Sequence, residues 1–129
     1  MQTRTKKLAG FTLVEIMIVV AIIGMLAAIA IPNFVTSRKN AQATACINNI
    51  RIIQGAKDMW AIEAKKGSTD TPTEAELQPY IGHGAAGKLP TCPNDSGNSF
   101  GTSYSVNSVD AMVVCNIGGA NAQYPHKLE

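Results

Sequence analysis

Residues 11–31 run for 21 positions with a single charged side chain, Glu15, and this stretch limits the possible folds more than anything else in the 129-residue chain. A helix rising about 1.5 Å per residue carries 21 residues through about 31 Å, which matches the hydrocarbon core of a bilayer. A helix apolar on every face has to be surrounded by lipid or by other apolar helices, because a small domain can bury only one stripe of it. Arg4, Lys6 and Lys7 precede the run with no acid among them. That flank sets the N-terminal end on the cytoplasmic side, although Arg38 and Lys39 soon after the run reduce the asymmetry. The remainder of the chain is expected outside.

Composition narrows the functional classes. The formal charge of +2 divides into three positive charges ahead of residue 11 and eight basic against nine acidic residues from there on, a net of −1. No basic field of the kind that binds nucleic acid survives that division. Aromatic residues make up 5% of the chain, and a large share of its apolar residues lies in the 11–31 run, so a deep catalytic cleft is not expected. Cys46, Cys92 and Cys115 are too few for a disulfide scaffold and lack the paired C-x-x-C spacing of a zinc site. The sequence therefore predicts no metal and no cofactor.

A secretory signal peptide also begins with basic residues and an apolar stretch, and Ala28-Ile29-Ala30 mimics its cleavage pattern. Two features weigh against it. A cut after Ala30 would place Pro32 second in the mature chain, and Glu15 would lie inside the hydrophobic region, where a helix-centre acid costs about 2.5 to 3.5 kcal/mol and less near the interface. A carboxylate kept there has a partner or a task.

The stretch Lys6-Lys7-Leu8-Ala9-Gly10-Phe11-Thr12-Leu13-Val14-Glu15, followed by an apolar helix, resembles the class III leader and N-terminal segment of type IV pilins and type II secretion pseudopilins. The resemblance implies that a prepilin peptidase of the inner membrane cuts after Gly10 and methylates the new amine on Phe11. It also implies that Glu15 is the carboxylate used in assembly and methylation. The apolar segment would then stay on a mature chain of 119 residues, 129 less the ten of the leader. Implied partners are the peptidase, further copies of the chain and other pilin-like subunits, an inner-membrane assembly platform, and lipid before assembly. No nucleic-acid partner is expected.

Each part also has a physical rationale. Gly10 has no Cβ and lets a protease approach the backbone. Cleavage there creates an α-amino group that titrates near about 7.7 to 8.0 and is mostly charged at neutral pH. Glu15 is its natural counterion, within one helix at i, i+4 or between neighbouring subunits, and a low dielectric strengthens either pairing. The resemblance implies the second arrangement, in which an incoming subunit is drawn into register. The bland alternative is a carboxylate that snorkels from the interface.

Ala21, Gly24 and Ala28 recur on one helix face and allow a neighbouring apolar helix to approach closely, although simple lipid anchoring tolerates them too. Pro32 lacks an amide donor and clashes with the preceding turn, so a kink, or local opening between Gly24 and Pro32, is expected. From 32 to 67 the pattern turns amphipathic, with Ala43, Cys46, Ile47, Ile50, Ile53, Trp60 and Ala64 at three- and four-residue steps. Lys57 interrupts this stripe, where Ala56 can substitute. Cys46 on the stripe reads as a small buried hydrophobe. Gly67 is the expected helix stop, with Lys65 and Lys66 at the negative end of the dipole.

Residues 68–129 read as a small globular region. Thr71-Pro72-Thr73-Glu74 predicts an N-cap, a first-turn proline and a capping-box acid for a short helix over 72–78. Pro79 and the glycines from Gly82 to Gly87 are expected to break regular structure, and strands near 102–106 and 111–115 predict a hairpin. A Cys92–Cys115 disulfide would close a loop of about 24 residues and contribute about 3 kcal/mol, in an oxidising compartment only. Two separate thiols are the alternative.

Other signals fail inspection. Gly82-His83-Gly84-Ala85-Ala86-Gly87-Lys88 fits half of a phosphate-binding loop, but Leu89 stands where a Ser or Thr would hold magnesium, and Pro79, Pro90 and Pro93 crowd both sides. His83 and His126 read as surface residues. Asn94, Asp95, Ser96 and Asn98 offer oxygens to calcium, as some pseudopilins do in this region, but turn chemistry explains them more simply. No nucleophile has a recognisable base and orienter, so the chain is not expected to be an enzyme.

The expected architecture is thus α+β and pilin-like: a leader over 1–10, a membrane or filament-core helix over 11–31, its amphipathic continuation over 32–67, and a hairpin region over 68–129. The expected role is that of a pilin or pseudopilin precursor, held in the bacterial inner membrane and then assembled into a periplasmic or extracellular filament. Two rivals are an exported or anchored binding module that uses the segment only for targeting, and a minor pilin in DNA uptake. The net charge of −1 offers the second little support.

Overall fold

A computed structural model describes residues 10–81 and 88–118. The chain divides between Ser37 and Arg38 into two compact units. The first helix, α1, spans Leu13–Glu63 and contributes residues 13–37 to the first unit and 38–63 to the second. It is followed by α2 (Glu74–Leu77), a 3-10 turn (Gln78–Tyr80), α3 (Phe100–Ser103), β1 (Tyr104–Ser105) and β2 (Val114–Cys115).

In the first unit α1 stands bare. Phe11, Leu13, Met25 and Phe34 are all 70% exposed or more, and every large apolar side chain from Phe11 to Val35 lies open. Among the described residues α1 is the one helix long and apolar enough to cross a membrane. Residues 13–63 are helical throughout, so the local opening expected between Gly24 and Pro32 does not occur in this chain. Pro32 still leaves the Ala28 carbonyl without its i+4 amide donor. One turn on, Thr36 Oγ1 donates to the Pro32 carbonyl at 3.1 Å.

The second unit has a core. Ala43, Cys46, Ile50, Ile53, Lys57 and Trp60 are buried at alternating steps of three and four, which keeps them on one face of α1, and Ala56 is buried beside them. Lys57 thus lies on the stripe, and Ala64 is exposed beyond its end. Leu77, Ile81, Cys92, Phe100, Tyr104, Val113 and Cys115 pack against Cys46, Ile50, Ile53 and Ala56. Phe100 and Tyr104 meet as tilted rings with centroids 5.9 Å apart. β1 and β2 pair antiparallel in the register Tyr104↔Cys115 and Ser105↔Val114, so Tyr104 and Cys115 sit opposite each other in the core.

Several boundaries differ from the sequence reading. The left-handed residue that ends α1 is Lys65, at φ 50°, rather than Gly67. Lys66 N donates to the Ala61 carbonyl at 2.9 Å and Lys65 N to that of Ile62 at 3.4 Å, the paired bonds of a Schellman motif. Lys66 Nζ then lies 5.5 Å from the centroid of the Trp60 ring. The capping box is shifted two residues, from Thr71 and Glu74 to Thr73 and Glu76. Thr73 N and Oγ1 each donate to Glu76 Oε2 at 2.8 Å. Pro79 sits within the 3-10 turn instead of stopping it, because the first residues of a helix need no amide donor. The two strands are shorter than predicted, since Phe100–Ser103 winds into a helical turn first. Residues 1–9 of the leader, the 82–87 glycine segment, His83 and His126 lie outside the described residues.

Candidate functional site

In the first unit the residues singled out by sequence gather at the start of α1. Gly10 is exposed, and a Cβ placed on it would meet nothing within 4 Å, so the folded chain sets no steric demand for glycine there. Phe11, 80% exposed, follows directly. Thr12 is the N-cap of α1 and Glu15 its third residue. Glu15 N donates to Thr12 Oγ1 at 3.3 Å, and Thr12 N donates back to Glu15 Oε2 at 3.4 Å. This is a reciprocal capping box. Sequence reading passed over it because the Thr-x-x-Glu spacing lay inside the family motif. The Glu15 carboxylate therefore closes the first turn of its own helix. Farther along, a Cβ at Gly24 would meet nothing within 4 Å. Its small face is open to a second helix.

The second unit contains a cluster that the sequence did not bring together. Cys46 comes from the buried stripe of α1, Cys92 from the segment before α3, and Cys115 from β2. Their Sγ atoms all lie within 4.8 Å of one another. The structure shows no disulfide among the three, and Cys46, buried as expected, lies beside the other two sulfurs. Cys92 N donates to Ser103 Oγ at 3.0 Å, and Ser103 Oγ donates to Asp95 Oδ2 at 2.7 Å. Burial pushes the Cys92 thiol up from its ordinary pKa.

Asp95 explains the polar turn. Its carboxylate accepts from Thr102 Oγ1 at 2.6 Å, from Ser103 Oγ and from Gly97 N at 2.8 Å. The two hydroxyl bonds, with the Gly97 amide next, hold its pKa below the usual carboxylate range. This is turn organisation, as the residue types suggested. Lys57 is the other unanticipated residue. Fully buried, it donates from Nζ to the carbonyls of Ser108 at 2.9 Å, Val106 at 3.4 Å and Ala111.

Comparison with known proteins bears on both units. The model of the prokaryotic N-terminal methylation motif matches residues 5–31. The type II secretion system core protein G of Vibrio cholerae is 30% identical over 99 residues, covering 70% of this chain and 68% of that protein. This chain belongs to the type IV pilin and type II secretion pseudopilin family. The Klebsiella pneumoniae core protein G is 33% identical over 72 residues, 56% of this pilin-family chain and 49% of that protein. A Pseudomonas aeruginosa fimbrial protein is 41% identical over 68 residues, or 52% and 44%. The chain thus spans about half the length of these last two relatives. No solved structure matches it. The matched methylation motif covers Gly10, Phe11, Glu15 and Gly24 and stops before Pro32.

Proposed function

We propose that this chain is a structural subunit that is cleaved after Gly10, N-methylated on Phe11 by a prepilin peptidase, and polymerised helix-first into a type IV pilus or a type II secretion pseudopilus. The single observation that carries the reading is the bare first unit: an all-apolar helix surface with one carboxylate three residues into it. Such a surface is covered by lipid before assembly and by the same helix of other subunits afterwards. Glu15 is then the group that neutralises the cationic terminus on Phe11 of a neighbour, leaving its capping bond to Thr12 as it does so. Gly24, Ala21 and Ala28 let those helices approach closely, and Pro32 weakens one turn where the helix must adapt to its neighbours.

This role is structural rather than catalytic, and the second unit faces the periplasm or the outside. Intact mass and N-terminal sequence of the protein recovered from membranes or sheared filaments of its native host test the reading directly. An N-methylated Phe11 start is expected. A start near Ile31, or an uncut Met1, would overturn it.

A further inference from the structure

Packing alone does not require three buried thiols to converge. A buried cysteine fills space as a small apolar group and works equally well anywhere in the core. Here three separate constraints bring the sulfurs together. The three-four stripe of α1 sets Cys46, the Tyr104↔Cys115 register sets Cys115, and the Ser103 hydroxyl fixes the Cys92 amide at 3.0 Å. Segments 46 and 23 residues apart in sequence thereby deliver side chains that are 0%, 1% and 1% exposed, with all sulfurs within 4.8 Å.

Tyr104 and Asn49 border the sulfurs. The Tyr104 hydroxyl lies 3.6 Å from Cys46 Sγ. Asn49 Nδ2 donates to that hydroxyl oxygen at 3.1 Å and to the Thr91 carbonyl at 3.1 Å, which fixes the amide's orientation. Either the tyrosine or the thiol can donate across that contact while Cys46 is protonated, and once the sulfur is a thiolate only the tyrosine can. A donor aimed at sulfur stabilises a thiolate, and outer-shell donors of this kind tune metal-ligand sulfurs.

We propose that Cys46, Cys92 and Cys115 form a thiolate site for a soft divalent cation, best matched by zinc(II). Zinc–sulfur bonds of about 2.3 Å place tetrahedral sulfurs about 3.8 Å apart, so the three side chains need to close by about 1 Å at most. Charge selects the ion. Three thiolates with zinc(II) leave a net −1, whereas copper(I) leaves −2 in the same buried volume, where uncompensated charge is costly. Binding is pure proton exchange: three S–H bonds break, three metal–sulfur bonds form, and three protons leave to solvent, with no electron transfer. Affinity therefore rises with pH. The ion would fasten the α1 stripe to the hairpin in a core too small to hold them firmly by burial alone. This site is argued from the core of the second unit alone, and it requires the three sulfurs to stay reduced where that unit faces the periplasm or the outside.

The test uses the full-length chain in detergent, purified anaerobically under a thiol reductant and incubated with zinc(II) or cobalt(II) alone. Expected are about one zinc per chain, a sulfur-to-cobalt charge-transfer band, and loss of both in Cys46→Ser, Cys92→Ser and Cys115→Ser. Tyr104→Phe keeps the ring and removes only the hydroxyl. It should still fold and bind zinc about tenfold more weakly, read by competition with a chromophoric chelator. A wild-type chain that melts cooperatively but takes up neither metal overturns the proposal. So does retention of zinc by Cys46→Ser, or a mass two hydrogens short in protein from its native host, which would show a disulfide between two of the three.

Discussion

Lys57 Nζ and the Ser108 carbonyl oxygen lie 2.9 Å apart, joining a fully buried ammonium on α1 to the loop between the two strands. Val106 and Ala111 carbonyls take its remaining donors, so all three are used. A two-stranded ribbon of two residues each has little stability of its own. The lysine holds its connecting loop in place where a shorter side chain would not reach.

Replacing Lys57 by Met should therefore destabilise the second unit by about 3 kcal/mol, since three carbonyls lose a charged donor while the apolar stem is kept. Thermal melting followed by near-UV circular dichroism reads this loss. Lys57→Arg should recover little, because the planar guanidinium cannot place three donors around one point. Unchanged melting of Lys57→Met would mean that the loop is held by other contacts.

The capping box makes the role of Glu15 separable from helix stability. Thr12→Val removes the hydroxyl acceptor and should cost α1 about 1 kcal/mol at its first turn while leaving filament yield near normal. Glu15→Val should be cleaved normally yet assemble poorly. Quantifying sheared filaments from both strains decides the matter, and equal loss of assembly in the two would reduce Glu15 to a capping residue.

At the end of α1, Lys65 holds φ 50° without being glycine. An L side chain there carries a strain of about 1 kcal/mol, part of which glycine gives back as unfolded-state entropy. Lys65→Gly is thus expected to raise the melting temperature slightly, by about 0.5 kcal/mol of stability. Lys65→Val should lower it. Gly67→Ala, at the position the sequence proposes as the stop, should change little.

Asp95 predicts the acid limb of stability. Its folded pKa lies below the unfolded value of about 3.9, so its contribution is complete above that value and is lost as pH falls through the folded pKa. Asp95→Asn should accordingly melt lower than wild type at pH 7, and the gap should close as both are titrated below about pH 4. A gap that stayed constant with pH would assign the effect to packing instead of charge.

The sequence by itself determined the parts whose physics is local or one-dimensional. The apolar run of residues 11–31, broken by no charge but Glu15, exceeds what a small domain can bury, and the stripe at Cys46, Ile50, Ile53 and Trp60 announces its buried face through spacing alone. The motif from Gly10 to Glu15 carries the family in its order of residue types, and alternation was enough to signal a hairpin. Tertiary structure decided what depends on distance through space. The sequence shows Cys46 as one more stripe residue, and only packing brings it to Cys92 and Cys115. Lys57 looks like a break in the stripe until the loop carbonyls fold over it. Lys65 ends α1 because the chain had to turn there to lay its next segment against the core, and that demand outweighed the local preference for Gly67. Propensities act over a few residues, whereas the thiol and lysine placements are set by contacts between residues far apart in the chain, and the core around them is tied by bonds spanning 42 and 59 residues, Asn49 to Thr91 and Gln54 to Val113.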